Sequence, residues 1–178
     1  TVAHITPVSI ASGKTLSGAV TVTAGSIKLG EAGTLATTVS MSGGTLDADE
    51  TLTLSGALTQ AGNITIDVAS GKTLSYSGAA LSLGAYTLTM SGEGVFSNTN
   101  DLVLNNASSK LLLSSSITVG SVSTSLASLG LDVDDDSTVS SLTVGHTTPV
   151  SIAAGKTLSG AITVTAGSIK LGEAGTLA

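Results

Sequence analysis

Three aspartates in the sequence LDVDDDST (residues 131–138) have the chemistry and spacing to bind a hard cation. Alternate residues of an extended strand point to the same side, so Asp132, Asp134 and Asp136 would share one face. Ca²⁺ takes about six to eight oxygen ligands, which three carboxylates and nearby carbonyls can supply. We therefore predict these three residues as candidate calcium ligands. The alternative is a solvated acidic turn, and residues 47–50 (DADE) allow the same two interpretations.

Histidine is the usual general base of a nucleophilic site, and the chain has two, His4 and His146. Each lies three residues before a proline, Pro7 or Pro149, in a threonine-containing segment. This context is typical of a surface turn. A serine is never far away, but no spacing singles out a nucleophile. We assign no catalytic residue and predict that the protein is not an enzyme.

The composition excludes several classes of function. Charged residues make up 10% of the chain, aromatic residues 2%, and there is no cysteine, so disulfides and thiolate chemistry are absent. All six cations are lysines and the net charge is −6, which argues against binding to nucleic acid or to an anionic membrane surface. The three aromatic residues and the lack of arginine do not suit a polysaccharide-cleaving site. No apolar run reaches the length of about 18 residues needed for a spanning helix, and the sequence shows no signal peptide.

A long duplication organises the chain. Residues 143–178 repeat residues 1–36 at 32 of 36 positions. We therefore predict one full repeat unit at 1–142 and the start of the next at 143–178, in a slice of a longer tandem array. Each unit carries four lysines and eleven acidic residues. The resulting charge of −7 per unit would make an array repel itself, and calcium would relieve this repulsion.

Short strands must position all of these residues. Apolar and hydroxyl residues alternate with a period of two, and Ser-Gly, Ala-Gly and Gly-Gly pairs mark turns. Apolar anchors that mostly follow Thr-Leu phrases recur seven times within one unit, at a mean spacing of about 20 residues, which is the length of one solenoid coil. The anchors are Leu16, Leu35, Leu52, Leu74, Leu88, Leu111, Val139 and Leu158.

These observations predict an all-β fold, a parallel β-helix or β-solenoid with coils of about 20 residues and essentially no helix. Tyr86 is in phase with Leu88 and Met90, so it should lie inside or at a coil edge. A pair of β-sandwich domains is the alternative, but it would call for linkers and an aromatic core that this sequence lacks.

The repeated Ser-Gly-Lys-Thr-Leu and Gly-Thr-Leu phrases, with alternating threonine and aliphatic residues, resemble prokaryotic giant tandem-repeat surface proteins. Autotransporter passengers and filamentous-haemagglutinin-type exoproteins are similar. The resemblance covers the whole chain. It implies an extracellular or cell-surface β-helix that serves as an adhesin, a stalk or a fibre, and it assigns no functional residue.

The sequence thus favours a structural segment of an extracellular filament or cell-surface stalk. Its partner would be itself, through end-to-end stacking of units or subunits, with lateral bundling as a further contact. Any lateral contact is expected between Leu111 and Val139, where the spacing between successive anchors is longest. The alternative function is an adhesin whose binding tip lies elsewhere.

Ice binding is a remote alternative, because solenoids can carry flat Thr-x-Thr rows. The four Thr-x-Thr pairs begin at residues 21, 51, 87 and 163. These intervals do not match one coil per step, so we expect no regular hydroxyl face.

Overall fold

A computed structural model describes residues 1–3, 8–29, 33–35 and 37–178. The described residues form no helix, and therefore none that could span a membrane. The strands are short because each crosses only one face of a coil. In chain order they are β1 (Val8–Ile10), β2 (Thr15–Leu16), β3 (Val20–Val22), β4 (Ser26–Leu29), β5 (Thr34–Leu35), β6 (Val39–Met41), β7 (Thr45–Ala48), β8 (Leu52–Leu54), β9 (Leu58–Gln60), β10 (Ile64–Val68), β11 (Thr73–Tyr76), β12 (Leu81–Ser82), β13 (Thr87–Ser91), β14 (Val95–Asn98), β15 (Leu102–Leu104), β16 (Lys110–Leu113), β17 (Thr118–Thr124), β18 (Gly130–Val133), β19 (Ser137–Val144), β20 (Pro149–Ile152), β21 (Thr157–Val164), β22 (Ser168–Leu171) and β23 (Thr176–Leu177).

The strands stack as a parallel β-solenoid of about eight turns, which confirms the predicted fold. The first face has the order β1-β4-β7-β10-β13-β16-β18-β20-β22, and the second has the order β2-β5-β8-β11-β14-β17-β19-β21-β23. A third face begins with β3-β6-β9, and β12 and β15 pair further along the chain. The long strands β17, β19 and β21 run across both the second and the third position of their coils.

Seven turns separate β1 from β20, its equivalent in the second copy. However, the expected single row of anchors is wrong. Leu88 and Leu111 lie on the first face, whereas Val139 lies on the second. The long step from Leu111 to Val139 is therefore a change of face. Adjacent strands in that region keep the ordinary coil length, since Leu111 pairs with Leu131 and Val119 pairs with Val139.

Inward aliphatic side chains form a continuous column along the first face. Each of them lies directly over its partner in the next coil, and each is buried with little or no exposed surface. In order they are Ile27, Leu46, Ile66, Met90, Leu113, Val133 and Ile152. Burial of one such side chain contributes about 1.5–3 kcal/mol relative to exposure. This layered core replaces the aromatic core of a sandwich.

The column shows how the repeat and the coils are matched. Val8 pairs with Ile27 at its start, and seven turns later the column reaches Ile152. The sequence equivalent of Val8 is Val150, two residues earlier. Successive units are thus offset by two residues on this face. Because side chains alternate with a period of two, an even offset keeps the aliphatic residues inside.

Two aromatic residues lie in the core, where the coils are widest. The turn from β10 to β13 extends from Ile64 to Leu88, which is longer than the turn from Val8 in β1 to Ile27 in β4. The rings of Tyr76 and Phe96 stack in this wide region with their centroids 6.1 Å apart.

The polar end of the buried tyrosine is fully satisfied. The Tyr76 hydroxyl donates to the Ala79 carbonyl at 2.7 Å and accepts the Leu58 N–H at 3.1 Å. A buried hydroxyl without partners would cost free energy, so these two bonds allow the ring to stay inside. Tyr86 is half-buried directly before β13, which agrees with its predicted position at a coil edge.

Serine hydroxyls satisfy carbonyl groups where the coil turns a corner. Ser137 Oγ donates to the Ser115 carbonyl at 3.0 Å, and Ser114 Oγ donates to the Met90 carbonyl at 3.1 Å. In each pair the acceptor belongs to the adjacent coil. Buried carbonyls cost free energy when they lack a partner, so the many hydroxyl residues have a structural role.

The duplication supplies a matched pair of glycines that tests the stacking. A Cβ at Gly160 (φ 130°) would lie 1.9 Å from the carbonyl oxygen of Val139 in the coil before it. Gly18 (φ 90°) is its equivalent in the first copy, and a Cβ there would meet no atom within 4 Å. Both substitutions share the strain of a positive φ, which costs about 1–2 kcal/mol.

We expect Gly160→Ala to cost about 1–3 kcal/mol more than Gly18→Ala, because only Gly160→Ala forces atoms into an occupied space. Chemical denaturation measures the difference, and hydrogen exchange should show faster opening of residues 157–164 in G160A alone. Equal losses in the two variants would mean that β21 does not lie tightly against β19.

Candidate functional site

Lysine and carboxylate side chains form ion pairs between adjacent coils. Lys28 Nζ lies 3.1 Å from Asp47 Oδ2 and 2.8 Å from Asp49 Oδ2, and both aspartates belong to the next coil. Lys72 Nζ lies 2.5 Å from Glu50 Oε2 in the coil before it. All of these side chains are at least a fifth exposed, so each pair contributes about 0–1 kcal/mol. The pairs therefore fix which coil faces which more than they stabilise the fold.

The predicted calcium ligands do not share one face, because the strand that holds them ends early. Asp132 lies in β18 and pairs with Lys110 Nζ at 2.6 Å. The strand ends at Val133, so Asp134 and Asp136 lie in the turn that follows. Asp136 Oδ1 accepts the N–H of Thr157 at 2.7 Å.

Within the described part of the chain, no three His, Asp or Glu side chains form a group that could hold a metal ion. Calcium binding by Asp132, Asp134 and Asp136 stays a prediction. Calorimetric titration of the chain with Ca²⁺, together with its melting temperature, checks it.

The acidic turn instead holds the start of the second repeat. Asp135 Oδ1 lies 2.6 Å from Lys156 Nζ, one coil further along the solenoid. The ammonium group and the N–H of Asp136 hold the pKa of the Asp135 carboxyl below its ordinary value. Residues 135 and 136 thus bind Lys156 and the Thr157 N–H side by side. The contact was not predicted from the sequence, although the acidic cluster precedes Lys156 by close to one coil length.

The first acidic cluster has two carboxyl groups with opposite shifts. Burial raises the pKa of Asp47, and the charge of Asp49 adds to this, while Lys28 opposes it. Hydrogen bonding to Lys28 lowers the pKa of Asp49, which is exposed to solvent. The Lys28 ammonium therefore compensates a half-buried carboxylate and draws a second, solvated one towards the coil.

His146 lies exposed in the turn between β19 and β20, with a positive φ of 58°. Its exposure agrees with a surface-turn histidine. His4 lies outside the described residues.

Hydroxyl side chains do stack in outward rows, contrary to the expectation from the Thr-x-Thr intervals. The rows arise from single positions that recur once per coil. The second face carries Thr15, Thr34, Thr53, Ser75 and Ser97, and the third carries Thr21, Ser40 and Thr59. The first-face row that contains Thr89 continues with Leu112 and Asp132. Ice binding stays a prediction, which a thermal-hysteresis assay checks.

Apolar surface is concentrated at the two ends of the solenoid, as the duplicated residues reveal. Val8 in the first coil is 41% exposed, whereas its equivalent Val150 is 1% exposed beneath the coil that precedes it. At the other end Val164 is 47% exposed, whereas Val22 is fully buried. Cavities of about 320 Å³ and 350 Å³ open at the first and last coils. Each end is thus a cross-section of the core.

The chain matches no protein-family model, no curated protein and no solved structure.

One apolar site lies on the side of the solenoid. Leu126 and Leu129, in the loop between β17 and β18, are 53% and 57% exposed. The other large hydrophobic residues that are exposed in the described ranges belong to the end coils. The loop lies within the segment from Leu111 to Val139, where the sequence predicts any lateral contact.

The opposite shifts predict an ordered titration of the carboxyl groups. In an NMR pH titration, Asp47 should protonate at a higher pH than Asp49 and Asp135. Lys28→Gln should raise the pKa of both Asp47 and Asp49, because Lys28 lowers both, and should leave Asp135 unchanged. Lys156→Gln is the matched control and should raise the pKa of Asp135 alone.

The same shifts set the pH dependence of stability. Asp49 and Asp135 have lowered pKa values in the fold, so their contribution is present above the ordinary value of 3.8 and is lost as the pH falls below it. Asp47 has a raised pKa, so its contribution has the opposite sign and is lost as the pH rises above 3.8. A common titration of Asp47 and Asp49 that ignores Lys28→Gln would contradict this assignment.

Proposed function

We propose that the chain is a structural segment of an extracellular filament or cell-surface stalk, in which successive repeat units continue one β-solenoid. One observation carries the proposal: the chain contains a junction between two units. The end of the first unit, β18 and β19, pairs with the start of the second, β20 and β21, through the same parallel ladders that join coils within a unit.

The core passes through this junction without interruption. Leu131 pairs with Val150 on the first face, and Leu142 pairs with Ile162 on the third. Leu131, Leu142 and Val150 are each 1% exposed. A junction built like any other coil contact needs no linker, so repetition of the unit lengthens one rod instead of adding separate beads.

The surface of the chain suits a structural role better than a binding role. Tyr76 and Phe96 are buried in the core, and Tyr86 is half-buried, so the aromatic residues form no exposed patch for a ligand. An adhesive tip would call for such a patch or for an insertion that breaks the repeat. The extracellular location rests on the resemblance to giant tandem-repeat surface proteins.

Electron cryo-microscopy of the native material tests the proposal. We expect thin fibres with a layer spacing of about 4.8 Å along the axis. Seven coils per unit give an axial repeat of about 34 Å if the units run on continuously. Separate chains stacked end to end would instead repeat after about 43 Å, because the first face of each chain holds nine strands.

Either repeat would support a filament, and its length would tell a tandem array from a non-covalent polymer. Isolated short rods or compact particles would overturn the proposal. A globular head on a short rod would point instead to the adhesin.

A further inference from the structure

We propose that the first coil of the solenoid is a docking surface for the seventh coil, residues 130–144, of another copy of the same unit. The proposal rests on the proposed function, in which units join end to end, and it names the residues that join them. Its basis is that residues 1–36 and 143–178 are nearly identical, while only the second copy lies on a seventh coil.

The apolar surfaces of the two copies differ as this proposal requires. In the second copy, Val150 and Leu158 are buried under β18 and β19. In the first copy, Val8 is 41% exposed and Leu16 is half-buried. Both of these line the open cavity of about 320 Å³. A seventh coil placed on the first coil would bury this surface in the manner already seen at β20 and β21.

The charged groups differ in the same way. In the second copy, Lys156 pairs with Asp135, and the Thr157 N–H donates to Asp136. Lys14 is the equivalent of Lys156, and among the described residues it makes no ion pair. An acidic turn from another copy would give Lys14 the partner that Lys156 already has. The occupant is therefore specified by charge as well as by shape.

The third face shows that the first coil already accepts such a neighbour. The N–H of Thr23 donates to the Val2 carbonyl at 2.8 Å, and the N–H of Thr165 donates to the Val144 carbonyl at 2.8 Å. Val2 and Val144 are equivalent residues. Thus Val2 already occupies, at the edge of the first coil, the place that the end of a seventh coil would take.

In the chain itself, residues 143–178 cover the seventh coil, so the test must release them. Ala153→Pro and Thr165→Pro remove the N–H groups that donate to Val133 and Val144, at 2.9 Å and 2.8 Å. The full chain with both substitutions should then expose its seventh coil. We expect it to form head-to-tail oligomers in analytical ultracentrifugation at concentrations where the unmodified chain stays monomeric.

Two further substitutions in the released chain test the contact itself. Gly18→Ala should weaken the association at least tenfold, since the Cβ has room in the free chain but would meet the docked Val139 carbonyl, as at Gly160. Lys14→Glu should weaken it by a similar factor by opposing Asp135. Adding Asp135→Lys to Lys14→Glu should restore association, which a merely structural role for Lys14 would not explain.

The outcomes separate this inference from the filament proposal. A released chain that stays monomeric while hydrogen exchange shows its first seven coils intact would overturn the docking surface, as would oligomers indifferent to G18A and K14E. Fibres from the native material would still support the filament in either case. Lys14-dependent oligomers without native fibres would support the docking surface alone. If the two prolines unfold the first seven coils as well, G160A serves as the milder release variant in the same series.

Discussion

The backbone ladder along the solenoid axis is the constraint on which the rest of the structure depends. Every strand gives its N–H and C=O groups to the coils before and after it, so a coil is complete only when it has two neighbours. This forces each inward side chain to lie over another, as Leu46 lies over Ile66. It also makes the end coils differ from the others, which is why Val8 and Val150 have different exposure in spite of nearly identical local sequence.

Charge acts on top of this ladder and has a different effect. Backbone pairing alone would accept many coils, because parallel strands of similar length can stack in any order. Ion pairs such as Lys28 with Asp47 and Lys156 with Asp135 favour one neighbour over the others. Since these pairs are partly exposed, they add little free energy. Their arrangement also explains how a unit with a charge of −7 holds carboxylates near its coil edges: the lysines are placed between coils, where two layers of charge meet.

The sequence predicted the features that come from periodicity. A period of two, turns rich in glycine and serine, and one long repeat were enough to derive a parallel solenoid with seven coils per unit. The positions of individual residues were harder to derive, because a Thr-Leu phrase begins a strand on either of two faces. Leu88 and Leu111 were therefore placed in the wrong row. The alternation rule also failed at Asp134, because β18 ends one residue earlier. Pairing between coils decides both matters, and it is a non-local property.

The two copies of one segment show how far a neighbouring coil determines local structure. The sequence TLSGAVTV forms two strands, β2 and β3, separated at Gly18, whereas TLSGAITV forms the single strand β21. The only difference is Val20 against Ile162, a conservative change that both conformations tolerate. What differs is the support: β21 lies along the long strand β19, and no described strand precedes β2 in its sheet. A long strand in one coil thus extends the strand laid upon it. Stacking another coil beneath the first one would be expected to join β2 and β3, so that each added unit completes the structure of the unit it meets.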